Sequence, residues 1–245
     1  MSSLIITEGA DRTEVRLHRP DARNAIDQAM IDELHAVCAR LESTPQILIL
    51  AGSEKVFAAG ADIAQLRERR REDALAGINS RLFDRIAALP MPVIAAIDGF
   101  ALGGGAELAY AADLRIAGPN LTIGQPEVGL GIIAAAGGTY RLPEIVGLAL
   151  AREMLFSARI LNAEEARAAG LVNSVVPAEE VLPAAHALAD RIAAQDPLAV
   201  RLSKAALAAP REAHPRVDEQ LQSVLFESEE KFRRMTEFLE RKKKR

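Results

Sequence analysis

The sequence predicts an α/β protein in which a largely parallel sheet is followed by a helical C-terminal region. The runs QILILAG (46–52) and MPVIAAIDGFAL (91–102) are nearly all apolar, as is typical of strands buried on both faces of a parallel sheet. Helical patterns separate these runs, which favours right-handed crossovers. From about residue 162 the pattern is almost wholly helical, with prolines between the helices. We therefore expect an α/β core over residues 1–180 and a helical region over 181–245.

The N-terminal elements are predicted to be a hairpin and a helix. The β-prone runs SLIITEG (3–9) and TEVRLHRP (13–20) are joined by a turn-like GADR, which predicts a hairpin. In NAIDQAMIDELHAVCARLE (24–42) apolar residues recur at helical spacing, and Asn24 or Asp27 stands near the start, where an N-cap belongs. Cys38 lies inside this helix and is expected to be a small buried residue.

The middle of the chain alternates between predicted helices and strands. The charged stretch RERRREDALAG (67–77) is expected to be a solvated helix face or a mobile loop. A helix over INSRLFDRIAAL (78–89) precedes the apolar strand 91–102, which ends in glycines. Two short strands follow, LRIAG (114–118) and LTIGQ (121–125). Further on, NAEEARAAGLV (162–172) predicts a helix that Gly170 closes.

Composition limits the classes of partner. The chain has 245 residues, 49% of them hydrophobic and 26% charged, with a net charge of −4 and a pI near 5.7, which gives no general reason to expect nucleic acid or an anionic membrane as partner. No run approaches the roughly 20 apolar residues of a membrane span, and the N-terminus has no signal-peptide pattern. The single cysteine fits a reducing compartment. We expect a cytoplasmic protein.

Several familiar sites are absent from the sequence. The glycine spacing fits neither a dinucleotide fingerprint nor a phosphate-binding loop of the Walker type, and no serine-hydrolase elbow occurs. The four histidines are scattered and form no H-E-x-x-H motif. The sequence therefore predicts neither a bound metal nor a separate cofactor.

The segment GGGAELA (103–109) combines three glycines with a glutamate among apolar residues. The glycines allow backbone N–H groups to approach a ligand closely at the start of a helix, where negative charge is favoured. Glu107 lies in a helix that is apolar nearly all round, so its carboxylate should be neutralised or held at a cavity. Alternatively, Glu107 is a first-turn carboxylate that only interacts with the helix dipole.

Another glycine turn, FAAGADI (57–63), stands earlier in the chain, after the strand 46–52, and is the first of the two glycine turns in chain order. Taken singly, Gly60 could serve a turn and Asp62 could cap a helix. As a pair, the two turns could direct two N–H groups at one oxygen, which is the geometry of an oxyanion hole. Glu127 in GQPEVGLG supplies a second carboxylate, unless it is a solvated loop residue. Two carboxylates beside such a hole could move protons next to a carbonyl.

These motifs together resemble the enoyl-CoA hydratase/isomerase family, which has the crotonase fold. The resemblance rests on RNAI (23–26), FAAGADI, the long block PVIAAIDGFALGGGAELAYAADLRIAG (92–118), and IGQPEVGLGI with GGTYRLP (123–143). It implies a spiral of repeated β-β-α units and a C-terminal helical region, 181–245, that forms trimers or dimers of trimers. It also implies a coenzyme A thioester as substrate, held in an enolate-like state by the N–H groups of Ala61 and Gly104.

The resemblance implies roles for individual residues. Glu107 matches the base that acts on water, and Glu127 matches the residue that exchanges the proton at the α carbon, so the implied reaction is syn hydration of a trans-2-enoyl thioester. In the same way it implies contacts to the CoA thioester from Arg23, Ala25, Ala59, Asp62 and Ile63. Phe238 and Arg241, from a neighbouring subunit, would contact the adenine and phosphates, with arginine where the family usually has lysine.

One departure from the family and several rival functions remain open. The family commonly has Pro-Gly where this chain has Ala134 and Ala135, and alanine resists positive φ. A double-bond isomerase, a thioester hydrolase or a decarboxylase could use the same oxyanion hole. Some members of the family associate with RNA, but the acidic pI and 4% aromatic content argue against that function here. The basic tail, 241–245, could be only a solvated helix end.

Overall fold

The computed structural model describes residues 2–53 and 55–243. Within them, β2 (Arg12–Leu17), β3 (Ile47–Ala51), β5 (Val93–Ile97), β7 (Leu114–Ala117) and β10 (Ser174–Val175) lie side by side as a parallel sheet. The first strand, β1 (Leu4–Glu8), pairs antiparallel with β2. The predicted hairpin is therefore confirmed, and so is the parallel sheet.

A second, smaller sheet contains the strands that lead to the glycine turns. Its order is β4 (Val56–Ala58), β6 (Phe100–Leu102), β8 (Thr122–Gly124) and β9 (Ile160–Asn162), with only the last pair antiparallel. Three successive segments of chain each place one strand in the large sheet and the next strand in the small sheet: β3 with β4, β5 with β6, and β7 with β8. This repetition is the expected crotonase-like spiral of β-β-α units.

The run 91–102 forms two strands, not the single strand that its apolar character predicts. The chain leaves the large sheet at Asp98 and enters the small one at Phe100, with Gly99 between them at φ 70°. A Cβ at Gly99 would lie only 1.7 Å from the carbonyl oxygen of Lys55. The corner therefore requires glycine both for its backbone conformation and for the close approach of a neighbouring segment.

Helices cover the sheets, beginning with α1 (Gln28–Ser43), which is capped by the side chain of Asp27 accepting from Met30 N at 2.9 Å. Asn24 instead donates to the carbonyls of Val56 and Phe57. Cys38 is buried in α1, as expected. The remaining helices up to residue 193 are α2 (Ile63–Glu68), α3 (Arg71–Ala76), α4 (Ile78–Ala87), α5 (Gly104–Tyr110), α6 (Arg141–Val146), α7 (Leu148–Ser157), α8 (Ala163–Ala168) and α9 (Val181–Ala193).

The expected elements in the middle of the chain are largely present. The charged stretch 67–77 is helical over most of its length, and the helix predicted after it is α4. Gly170 follows α8 at φ 74°, as the predicted helix end requires. One core of buried side chains runs through α1, the inner strands of the large sheet, α4 and α5. Within the described residues, none of the helices is long and apolar enough to cross a bilayer.

Contacts divide the chain into two compact units, with the boundary between Asp190 and Arg191. The second unit contains the end of α9 and three further helices: α10 (Pro197–Leu207), α11 (Arg216–Phe226) and α12 (Glu229–Lys243). Large apolar side chains on α11 and α12 are exposed: Val224, Phe226, Phe232, Met235, Phe238 and Leu239. Of the basic tail, residues 244 and 245 lie outside the described residues.

Candidate active site

The first glycine turn presents the N–H of Ala61 to a cavity. After β4, an isolated bridge joins Ala61 to Ile26: Ile26 N donates to Gly60 O at 2.8 Å, and Asp62 N donates to Ile26 O at 2.9 Å. In an extended chain, the backbone N–H and C=O groups of adjacent residues point to opposite sides of the strand. The Ala61 N–H therefore points away from Ile26. Gly60 has φ 119°, and a Cβ there would lie 3.2 Å from the carbonyl oxygen of Leu102, at the second glycine turn.

The second glycine turn presents the N–H of Gly104. Gly103 follows β6 with φ 50° and donates to Gly124 O at 2.9 Å, and α5 begins at Gly104. The first N–H groups of a helix have no partner inside the helix, so that of Gly104 is available to a ligand. A Cβ at Gly105 would lie 2.1 Å from Ala58 O, which shows how closely α5 packs on β4.

The two turns converge on one point. A Cβ added to Gly104 would lie 3.3 Å from Ala61 N and 3.8 Å from the carbonyl carbon of Gly60. A side chain at residue 104 would therefore fill the space beside the Ala61 N–H. Two backbone donors next to one open space can hold a developing oxyanion.

Glu107 lies on α5, three residues beyond Gly104, and only 4% of its surface is exposed. Its Oε1 accepts from Ala136 N at 2.7 Å and from Gly138 N at 3.0 Å. Arg141 supports this loop by donating to the carbonyl of Ala136 at 3.3 Å. Burial raises the pKa of Glu107, and the two N–H donors oppose this rise.

Glu127 reaches the same cavity from the other side. It is the first residue of a 3-10 turn, Glu127–Leu130, that follows β8, and only 8% of its surface is exposed. A Cβ at Gly103 would lie 2.7 Å from Glu127 Oε1, so this carboxyl packs against the second glycine turn. Burial raises the pKa of Glu127 to about 7; its own backbone N–H opposes the rise, and the charge of Glu107 adds to it.

One cavity of about 580 Å³ is lined by all four predicted catalytic and oxyanion-hole residues: Ala61, Gly104, Glu107 and Glu127. Apolar side chains and alanines form much of its remaining wall, and α2, α3 and α4 contribute to it. A mostly apolar cavity with a few convergent polar groups is typical of a small-molecule site. Within residues 2–53 and 55–243, no group of three or more histidine, cysteine, aspartate or glutamate side chains is arranged to hold a metal ion.

The residues that the resemblance assigns to CoA binding lie partly on this cavity. Ala59 and Ile63 line it, and Ile63 is 58% exposed. Arg23 is held beside the first glycine turn, because its carbonyl accepts from Ala59 N at 3.1 Å. The Ala25 carbonyl accepts from Arg19, and Asp62 caps α2 through Ala64 N and Gln65 N.

The two remaining predicted residues, Phe238 and Arg241, belong to the second unit. Phe238 is 64% exposed on α12, and Arg241 is exposed one turn further along the same helix. Arg241 lies 3.9 Å from Glu237, four residues before it, and its Nε donates to the Glu237 carbonyl at 3.3 Å. Contacts of these side chains with coenzyme A stay predictions.

Sequence reasoning missed three polar residues at the site. Asn79 lines the cavity, and its Nδ2 lies 3.7 Å from the point that a Cβ on Gly104 would occupy. Arg69 donates to Asn79 Oδ1 at 2.9 Å. Gln125 is buried and, with its amide nitrogen turned towards Glu127, donates to Oε2 at 2.9 Å and to Oε1 at 3.1 Å. The motif GQPE (124–127), in which Gln125 stands two residues before the candidate Glu127, could have indicated Gln125. No local pattern marks Asn79 or Arg69.

The two alanines that depart from the family pattern fit their loop without strain. The positive φ angles of non-glycine residues in the described chain occur at Arg23, Asn24 and Ala158, and not at Ala134 or Ala135. In the same loop, positive φ falls on Gly131 and Gly137. The N–H groups of Ala136 and Gly138, which donate to Glu107, therefore keep their positions with alanine at 134 and 135.

Comparison with known proteins shows the family to which the chain belongs. The enoyl-CoA hydratase/isomerase family model matches residues 9–245. Crotonyl-CoA hydratase from Syntrophomonas wolfei is 45% identical over 208 residues (82% of this chain, 80% of that protein), and 2,3-dehydroadipyl-CoA hydratase from Escherichia coli is 35% identical over 250 residues (99% and 97%). The crystal structure of an enoyl-CoA hydratase from Bacillus anthracis has a TM-score of 0.92 at 31% identity, covering 98% of this chain and 96% of that one. The chain belongs to the enoyl-CoA hydratase/isomerase family.

Proposed function

We propose that this protein is an enoyl-CoA hydratase, a hydro-lyase that adds water syn across the double bond of a trans-2-enoyl-CoA to give 3-hydroxyacyl-CoA. The observation that carries the proposal is the pair of buried carboxyls, Glu107 and Glu127, on one cavity with two convergent backbone N–H groups. Relatives named as hydratases at 41–45% identity support the same activity.

The N–H groups of Ala61 and Gly104 would hold the thioester oxygen. As the oxygen of water bonds to C3, the C2–C3 π electrons move towards the thioester carbonyl, and negative charge develops on its oxygen. Backbone donors that are already oriented stabilise this charge without reorganising. Since the charge is largest in the enolate-like state, the donors lower the barrier more than they strengthen binding of substrate.

The two carboxyls would move the protons. Glu107, whose Oε1 is held by two N–H donors, takes a proton from water as the oxygen bonds to C3. Glu127, whose pKa is raised to about 7, gives its proton to C2 and completes the addition. The hydroxyl group is then on C3 and the added proton on C2. Transfer of a proton from Glu107 to Glu127 through solvent restores the starting protonation states of the two carboxyls.

The reaction as proposed needs no cofactor beyond the coenzyme A that the substrate carries. We place the pantetheine and nucleotide along Arg23, Ala25, Ala59, Asp62 and Ile63. A neighbouring subunit would add Phe238 and Arg241 at the nucleotide. We also propose a homotrimer or a dimer of trimers. The exposed apolar side chains of α11 and α12 support association with a partner, because such surfaces are usually covered. We further propose a cytoplasmic role in β-oxidation of fatty acids.

The test is loss of the conjugated enoyl absorbance with crotonyl-CoA and its longer homologues. A hydratase consumes the absorbance and forms 3-hydroxyacyl-CoA, which mass spectrometry detects as a gain of one water. An isomerase would instead move the double bond without a change in mass, and a hydrolase would release free coenzyme A. A folded protein that hydrates no chain length would refute the proposal.

A further inference from the structure

Asn79 lies beside the two backbone donors of the candidate oxyanion hole. It is in the first turn of α4, and its surface is 9% exposed. Its Nδ2 is 3.7 Å, and Ala61 N is 3.3 Å, from the point that a Cβ on Gly104 would occupy. The side-chain amide therefore borders the same space as the two backbone N–H groups.

The orientation of this amide is fixed by Arg69. A guanidinium only donates hydrogen bonds, so the atom of Asn79 that faces Arg69 Nη1 at 2.9 Å must be the oxygen. The NH₂ group consequently points away from Arg69, on the side of Gly104. Among the described residues it has no hydrogen-bond acceptor. Because Asn79 lines the cavity, its NH₂ group is free to donate to a ligand oxygen there, which would complete its hydrogen bonding.

Arg69 adds positive charge behind the amide. It lines the cavity and has no carboxylate partner within the described residues. The nearby Asp73 carboxylate accepts from the backbone N–H of Arg70 instead. A cation bonded to the amide oxygen draws electron density away from the NH₂ group, which makes that group a stronger donor.

We propose that Asn79 is a third donor to the thioester oxygen, and that Arg69 is the positioning residue that orients it. The inference rests on the proposed function, because it concerns the oxygen that Ala61 and Gly104 would hold. The same hydrogen bond could instead be a purely structural link that ties the segment following α2 to helix α4. It would, however, leave catalysis unchanged in any variant that folds.

The kinetic test uses Asn79→Ala, Asn79→Asp and Arg69→Met, with melting temperatures to confirm folding. A donor that acts mainly in the transition state lowers kcat with little change in KM, and loss of one oxyanion donor costs roughly 10²-fold or more. We expect Asn79→Asp to be the slowest, because its carboxylate repels the oxyanion. Arg69→Met should lose about tenfold, and its loss should largely vanish when Asn79 is already alanine.

Arg71→Met is the matched control for Arg69→Met. It also removes one positive charge, at the first residue of α3. Arg71 is exposed and does not line the cavity. Its kcat should equal that of the wild type. An equal loss in both arginine variants would show a general charge effect and overturn the positioning role of Arg69.

A spectroscopic test does not depend on turnover. In the Glu127→Gln background, bound 2,4-hexadienoyl-CoA should absorb at longer wavelength than in solution, because donors at the thioester oxygen polarise the conjugated system. Adding Asn79→Ala should remove a large part of this shift, and adding Arg71→Met should not. Full kcat together with the full shift in Asn79→Ala would overturn the inference alone. A protein that polarises the dienoyl thioester, loses this shift in Asn79→Ala and yet hydrates no enoyl-CoA as the wild type would refute the hydratase proposal and leave the role of Asn79 supported.

Discussion

Glu107 and Glu127 line one cavity, but they lie in different surroundings. Glu107 projects from α5 to a loop whose N–H groups at Ala136 and Gly138 both donate to Oε1. Glu127 begins a 3-10 turn, and its carboxyl is reached by its own backbone N–H and by the side-chain amide of Gln125. Burial raises the pKa of both groups, and the charge of Glu107 raises that of Glu127 further.

The difference indicates where one shared proton resides. Two buried carboxylates close to one cavity do not both ionise easily, and backbone donors favour the charged form of the group they reach. We infer that Glu107 carries the charge and Glu127 the proton before hydration. Two residues of the same type thus take opposite roles because their neighbours differ, and the pair titrates as a unit.

The largest effect is expected from removing either carboxyl. Glu107→Gln and Glu127→Gln should each lower kcat for hydration of crotonyl-CoA by roughly 10³-fold or more, since each loses one proton-transfer group. The two variants should differ in exchange of the C2 protons of a saturated acyl-CoA with D₂O, measured by NMR. Glu107→Gln should retain this exchange and Glu127→Gln should lose it. Full hydration by Glu107→Gln would show that Glu107 is not the base that acts on water. Double-bond migration without hydration in the wild type, lost only in Glu127→Gln, would instead favour an isomerase that uses Glu127 alone.

Gly103→Ala should disturb Glu127 while leaving the donors to Glu107 in place. Its Cβ would lie 2.7 Å from Glu127 Oε1, and its φ of 50° adds backbone strain. Because a displacement of about 1 Å at a catalytic group can cost about 10²-fold, kcat/KM should fall by that order. Gly129→Ala is the control, since nothing lies within 4 Å of its Cβ and its φ is not positive. Equal activity of both variants would mean that Glu127 has room to move.

The pH profile tests the shared proton directly. Glu127 must be protonated to deliver its proton to C2, so activity should be lost as pH rises through its pKa of about 7. We expect kcat/KM for crotonyl-CoA to fall about tenfold per unit well above that pH. The residual rate of Glu127→Gln should lack this fall. A flat profile between pH 6 and 9 would show that another group supplies the proton.

The sequence predicts the fold well where the signal is local. The apolar run 46–52 and the helical spacing in α1 and α4 identify buried elements directly. The corner at Gly99 was missed although Asp98-Gly99 is a turn-type dipeptide, because apolar residues flank it on both sides. The contact that requires glycine there, the Lys55 carbonyl, comes from another segment. The three-residue strand β9 and the two-residue strand β10 carry no local pattern and depend on their partners in the sheets.

The site was predictable only in part for the same reason. Glu107 and Glu127 stand in glycine- and proline-marked motifs that also fix their backbone. Asn79 lies in an ordinary amphipathic helix, and what distinguishes it is its proximity to Gly104 across the fold. Likewise, the opposite surroundings of the two glutamates come from loop N–H groups that no spacing rule identifies.

A smaller effect is expected on stability. The pKa of Glu127 in the folded protein, about 7, lies above its ordinary value of 4.5, so its ionisation costs stability as pH rises between these values. Glu127→Gln removes this cost and should raise the free energy of unfolding by about 1–3 kcal/mol at pH 8, with little change at pH 5. Urea denaturation at the two pH values measures the difference. A variant that is less stable at both would show that Gln125 and the carboxyl form a net stabilising pair.

The smallest effect is expected at the loop that holds Glu107. Ala135 has no positive φ, so Ala135→Gly relieves no strain, and the N–H groups of Ala136 and Gly138 remain in place. The change should alter kcat by about twofold or less and destabilise the fold by up to about 1 kcal/mol, because glycine has more freedom when unfolded. Crotonyl-CoA kinetics and thermal melts measure both. A gain of tenfold in kcat would mean that Ala135, which lines the cavity, obstructs the water that Glu107 activates.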